Sequence, residues 1–149
     1  MKIVKTVKIP IEICHDEAIL PKYAKRGDAG MDIHSTESTI VSPQQTRVIK
    51  TGLKVAIPEG YEIQIRPRSG LSLKTGIRVA NSPGTVDSGY RDEIGVILHN
   101  IGNEPFVIHF GDRIAQMVLK EVPQISWELV NEVADIGFNR GGGLGHTGV

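Results

Sequence analysis

The stretch YEIQIR, residues 61–66, decides how the chain is read. Tyr61, Ile63 and Ile65 alternate with Glu62, Gln64 and Arg66. Side chains two apart share one face of a β-strand, so this is a half-buried strand with an apolar and a polar side. The same period recurs outward along the chain. Leu53, Val55 and Ile57 alternate in LKVAIP (53–58), EIGVIL (93–98) and PFVIHF (105–110) behave alike, and RIAQMVL (113–119) puts Ala115, Met117 and Leu119 on one side. Turn sequences separate these runs: IPEGY (57–61), NSPG (81–84), NIGNEP (100–105) and FGDR (110–113). Many short strands with regular turns predict an all-β sandwich, jelly roll or barrel. One segment departs from period two. RSGLSLKTG (68–76) offers Ser69 as an N-cap and Gly76 as a C′ residue, which predicts a helix of one or two turns.

The chain has 149 residues, the size of one domain, and no internal repeat or linker divides it. The composition changes only after about Asp135, where a glycine-rich stretch begins. The expected organisation is a β domain over residues 1–135 and a flexible C-terminal arm over 136–149. Lys plus Arg is 17 and Asp plus Glu is 17. This balance argues against a broad nucleic-acid or membrane-surface binder and leaves room for a small anion held by local charges. The single cysteine, Cys14, has no partner for an internal disulfide. No apolar run approaches the ~20 residues of a membrane span, and MKIVKTVKIP (1–10) lacks a signal-peptide core. The expectation is a soluble, intracellular, cytoplasmic protein.

Five segments could carry chemistry. AGMDIHS (29–35) places Asp32 early in a strand. RPRSGLS (66–72) sets Arg68, Ser69 and Gly70 at a helix start, where arginine forks and free N–H groups suit phosphate. In NSPGTVDSGYRDEIGVILHN (81–100), Asp87 is expected at a hairpin tip, where a carboxylate can orient and deprotonate water, and Tyr90 can stack on a ring. GDRIAQMVL (111–119) carries Gln116 within a strand. RGGGLGHTG (140–148) has glycines that let backbone approach a ligand closely, with Arg140 and Thr147 as phosphate donors. Taken singly, each also fits an ordinary turn, cap or tail.

Taken together and in this order, the five segments resemble the trimeric dUTPase family, over about residues 24–149. The resemblance implies a distorted jelly-roll β-barrel with one short helix and a C-terminal arm, assembled as a homotrimer whose sites are shared between subunits. It implies hydrolysis of dUTP to dUMP and pyrophosphate, which limits uracil in DNA and supplies dUMP for thymidylate synthesis. By the same resemblance, Asp87 activates the water that attacks the α-phosphorus, and Gln116 lies near that water and phosphate. Arg68, Ser69 and Gly70 bind phosphates. Asn81 reads uracil, with the strand at Thr85 and Val86 completing the contacts. Tyr90 lies under the deoxyribose and excludes a 2′-hydroxyl. Asp32 supports Mg²⁺ through water, the ion being held mainly by the substrate. Arg140, Leu144, His146 and Thr147 belong to an arm that closes over the nucleotide.

The chain departs from the family pattern at three places. Asp92 and Gly89 stand where glycine and a second aspartate are common. RGGGLG is one residue shorter than R-G-x-G-G-F-G, which puts Leu144 where an aromatic covers the uracil and shifts the register of Arg140. The nearest rival, dCTP deaminase, needs a glutamate where this chain has Ile97, and has a second serine where this chain has Gly70. A non-catalytic nucleotide sensor on the same scaffold is the rival of a different class.

Overall fold

The computed structural model describes residues 3–148, in eleven strands and one helix. The main sheet has the order β2 (Met31–His34), β11 (Arg113–Glu121), β6 (Tyr61–Arg66), β8 (Gly84–Val86). A second sheet places β9 (Gly95–Asn100) between β4 (Thr46–Lys50) and β7 (Ile77–Val79). Two ribbons complete the shell: β1 (Ile11–Ile13) with β5 (Leu53–Val55), and β3 (Thr39–Val41) with β10 (Phe106–Ile108). All pairings are antiparallel. Among the described residues, no two strands consecutive in the chain pair with each other. The architecture is the expected all-β one with one short helix, although the strands form four separate sheets and do not close into a continuous barrel.

Period two builds the core. Ile63 and Ile65 of YEIQIR point inward, and meet Ile33, Val41, Ile49, Leu53, Val96, Leu98 and Ile108 in one buried cluster. Each such aliphatic side chain contributes about 1.5–3 kcal/mol by leaving water. β11 departs from simple alternation. Ala115 and Met117 face the core as expected, but Ile114 joins the same buried cluster, and Val118 is buried as well. A bulge between Arg113 and Ala115 shifts the register against β2 and interrupts the alternation at Ile114.

Two local expectations are corrected. The helix α1 runs Ser69–Lys74 with Arg68 as N-cap and no side-chain cap bond, so Ser69 is its first residue. Gly76 does follow the Thr75 C-cap, but not in a left-handed turn. It is glycine because a side chain there would run into the backbone of Gly102. The second correction is that Asp87 does not sit on a hairpin tip. β8 pairs with β6 and β9 pairs with β4 and β7, so the segment through Asp87 crosses from one sheet to the other.

β11 ends at Glu121, and the chain beyond it forms no helix or strand among the described residues. It leaves Ile125, Trp127, Leu129 and Phe138 exposed. Among the described residues, no helix is long and apolar enough to cross a membrane.

Candidate active site

The main sheet carries two groups of the residues singled out by sequence. The first lies at its β8 edge. Asn81, Gly84, Thr85, Val86, Tyr90 and Ile97 line a cleft of about 160 Å³. β8 is an end strand, bonded to β6 on one side only, so its other row of N–H and C=O groups is free to meet a ligand. Asp87 and Tyr90 follow on a tight turn, in which Tyr90 N–H donates to the Asp87 carbonyl at 3.1 Å. The Tyr90 hydroxyl donates to the Glu93 carbonyl at 2.8 Å, which fixes the ring where it lines the cleft. Arg91 braces the same turn by donating to the carbonyls of Ser88 (2.6 Å) and Tyr90 (2.9 Å). The Asp87 side chain is exposed and accepts no hydrogen bond among the described residues.

The second group crosses three strands. Gln116 on β11 stands opposite Asp32 on β2 and Arg66 on β6. Arg68 Nε donates to Asp32 Oδ1 at 2.8 Å, which leaves the two terminal nitrogens of its fork for another anion. Arg113 Nη1 is 3.9 Å from the other carboxylate oxygen, Oδ2. Gln116 Nε2 donates to the Pro67 carbonyl at 3.0 Å. Ser69 and Gly70 are exposed at the start of α1 beside this row. Arg66, the other arginine of RPRSGLS, turns back onto Gln64 of its own strand. His34 lies two residues beyond Asp32 on the same face, and burial holds its pKa below the usual histidine value. Its Nδ1 is enclosed without a hydrogen-bond partner among the described residues.

Arg113 was not singled out by sequence, although it sits inside the quoted GDRIAQMVL. Only the β2–β11 register shows that it faces His34 and reaches Asp32. The Arg91 and Glu93 contacts with the Tyr90 turn likewise depend on how that turn folds. The two groups share no side chain, and β6 contributes to both, with Ile65 lining the cleft and Arg66 in the row opposite Gln116. Arg140, Leu144, His146 and Thr147 join neither group. They are exposed on the arm, whose hydrogen bonds are local, such as His146 N–H to the Gly143 carbonyl at 3.1 Å.

Among the described residues, no three His, Cys, Asp or Glu side chains converge as a metal cluster. The hard oxygen donor beside the arginines is Asp32, and its Oδ2 is the oxygen not engaged by Arg68. That atom suits a hydrated divalent cation brought in by a polyphosphate better than a protein-built cage.

The dUTPase family model matches residues 16–148. A deoxyuridine 5'-triphosphate nucleotidohydrolase of Picosynechococcus sp. is 50% identical over 135 residues, covering 90% of this chain and 94% of the relative. The dUTPase of Staphylococcus bacteriophage 80alpha, solved as a point mutant with dUpNHpp, has a similar structure. Its TM-score is 0.87 at 27% identity, over 97% of this chain and 100% of that one. The dUTPase of phage phi11 of S. aureus, also a point mutant, is described with a coordinated structural Mg(II) ion. Its TM-score is 0.79 at 27% identity, over 85% of this chain and 98% of that one.

Proposed function

The chain belongs to the dUTPase family, and on that premise we propose how its residues hydrolyse dUTP to dUMP and pyrophosphate. The observation that carries the reading is the cleft at the outer edge of β8, lined by Asn81 and Tyr90, with Asp87 on the same tight turn as Tyr90. Uracil presents one N–H donor between two carbonyl acceptors. The side chain of Asn81 and the open backbone edge at Thr85 and Val86 supply matching groups. Tyr90 then lies under the deoxyribose and leaves no room for a 2′-hydroxyl, so UTP is excluded.

Asp87 takes a proton from water as the water oxygen attacks the α-phosphorus. The bond from the α-phosphorus to the bridging oxygen breaks, and the leaving group is pyrophosphate. No covalent intermediate is needed, so catalysis rests on positioning and charge stabilisation. Gln116 lies beside the α-phosphate and the water. Arg68 offers its free nitrogens, and Ser69 and Gly70 their backbone and hydroxyl groups, to the phosphate chain. Asp32 would hold a magnesium ion brought in with the substrate, through water, and such an ion would supply charge neutralisation to the phosphates.

Two features favour a shared site in a homotrimer. Within one chain the base cleft and the phosphate group share no side chain, and the described arm residues join neither. In the assembly, Arg140, His146 and Thr147 of the arm, residues 136–149, close over the phosphates. Leu144 covers the uracil by apolar contact. Deamination is disfavoured because Ile97 lines the cleft where that chemistry requires a proton-carrying group. Pyrophosphate and ammonia release, measured side by side from dUTP and dCTP, tests the reading. Pyrophosphate from dUTP alone is the expected result. Ammonia from dCTP would assign a deaminase, and no product from either would assign a sensor.

A further inference from the structure

Gly30 precedes β2 and lies against the side chain of Gln116, which projects from the adjacent strand β11. A methyl group on its α-carbon would overlap Gln116 Oε1. It would also come within 3.3 Å of Gln116 Cδ and of the Met117 carbonyl oxygen. Gly30 is not in the left-handed region, so its backbone would accept alanine without strain. What requires glycine here is the space the carboxamide occupies. On its other side the same carboxamide is tied down, since Nε2 donates to the Pro67 carbonyl at 3.0 Å. Only the nitrogen of an amide can donate to a carbonyl, so this bond also fixes which end is the oxygen. Oε1 has no hydrogen-bond partner among the described residues. It is also not among their enclosed unpartnered atoms, which are His34 Nδ1 and Ser72 Oγ, so it is not fully enclosed.

We infer that Gly30 is a positioning residue for the hydrolysis. It lets the Gln116 carboxamide lie between Pro67 and the Gly30 α-carbon, with Oε1 presented as an acceptor for a proton of the attacking water. The inference rests on the reading that places Gln116 beside that water. An acceptor fixed there turns the water so that a lone pair, and not a proton, faces the phosphorus. In Gly30→Ala the methyl displaces the carboxamide, and the water loses that alignment.

A double-mutant cycle on the full chain tests this. A misplacement of about 1 Å can cost on the order of 10²-fold, so Gly30→Ala should lower kcat by about tenfold or more. KM for dUTP should change far less, because the carboxamide does not hold the base or sugar. In a Gln116→Ala background no carboxamide remains to be displaced, and adding Gly30→Ala should leave kcat within about twofold. An equal cost in both backgrounds overturns the inference, because Gly30 would then act through backbone or packing. Full turnover in Gln116→Ala alone overturns the reading of Gln116 and the inference with it. The two failures are distinguishable, since Gln116→Ala alone reveals the second and only the double variant reveals the first. If Gly30→Ala lowers the melting temperature, the double variant decides. Recovery to the value of Gln116→Ala supports the inference, and no recovery overturns it.

Discussion

Replacing Asp87 by asparagine should separate chemistry from folding. The Asp87 carboxylate is exposed and accepts no hydrogen bond among the described residues, and the turn uses only its backbone carbonyl, bonded by Tyr90 N–H at 3.1 Å. Asparagine keeps that carbonyl and nearly the same shape. A surface change of this kind alters stability by no more than about 0.5 kcal/mol. The reaction loses its base, and a general base contributes about 10²–10⁴-fold. At about 1.36 kcal/mol per decade, that raises the barrier by about 2.7–5.4 kcal/mol. The smallest expected effect on turnover is thus several times the largest expected effect on folding. Steady-state pyrophosphate release gives kcat, calorimetric titration with dUpNHpp gives binding, and a thermal melt gives stability. The expected pattern is a collapse of kcat with binding and melting temperature largely preserved. Retention of more than about a tenth of the parent kcat would refute the assignment, since that is less than a base contributes.

Tyr90→Ala removes the ring from the cleft lining and its bond to the Glu93 carbonyl. It should weaken dUTP binding and narrow the gap between dUTP and UTP, and an unchanged ratio of the two kcat/KM values would count against Tyr90 as the sugar gate. Deletion of residues 140–149 should lower kcat/KM by about 10²-fold or more through lost positioning. It should leave the ligand-free melting temperature alone, because the described part of that segment is exposed and bonded only locally; full activity after deletion would make it an idle tail. Leu144→Phe adds an aromatic contact worth about 0.5–1.5 kcal/mol where the ring reaches the uracil, so titration with dUpNHpp should show modestly tighter binding. Light scattering should give a mass near three times 16.2 kDa, and a fully active monomer would overturn the shared-site proposal.

Period two identified the core-facing side in strands such as YEIQIR, where Ile63 and Ile65 are buried. It carried no information about partners. The stretch through Asp87 looks like a hairpin because turn residues lie between two apolar runs, yet its flanking strands belong to different sheets. That choice is made by tertiary packing. The same limit hid Arg113, whose place beside Asp32 follows from cross-strand register. It also hid Gly30, whose α-carbon meets a side chain far along the chain. Burial of Ile114 and Val118 in β11 is equally invisible in RIAQMVL, because they flank a polar Gln116 that breaks the apolar pattern. Residue types at Asp32, Arg68, Asn81, Asp87, Tyr90 and Gln116 were legible as an ordered set. The division of that set into a base cleft at β8 and a phosphate group centred on β2 and β11 emerges only from the sheet order.

The absence of pairing between consecutive strands governs how this chain must reach its fold. A hairpin would let two strands zip up across a short turn, and none is present among the described residues. β1 must find β5, β2 must wait for β11, and β3 for β10. Each closure surrenders chain entropy before its contacts repay it. A long loop costs only about 0.6 kcal/mol more than one half its length, but here every pairing is of that kind. The one local element, α1, has six residues and is too short to persist in isolation. Refolding should therefore run on the millisecond-to-second scale of non-local β proteins. Its early collapsed states will hold strands such as YEIQIR with both edges still unpaired, and the protein concentration chosen for refolding will decide how many of those edges meet another chain first.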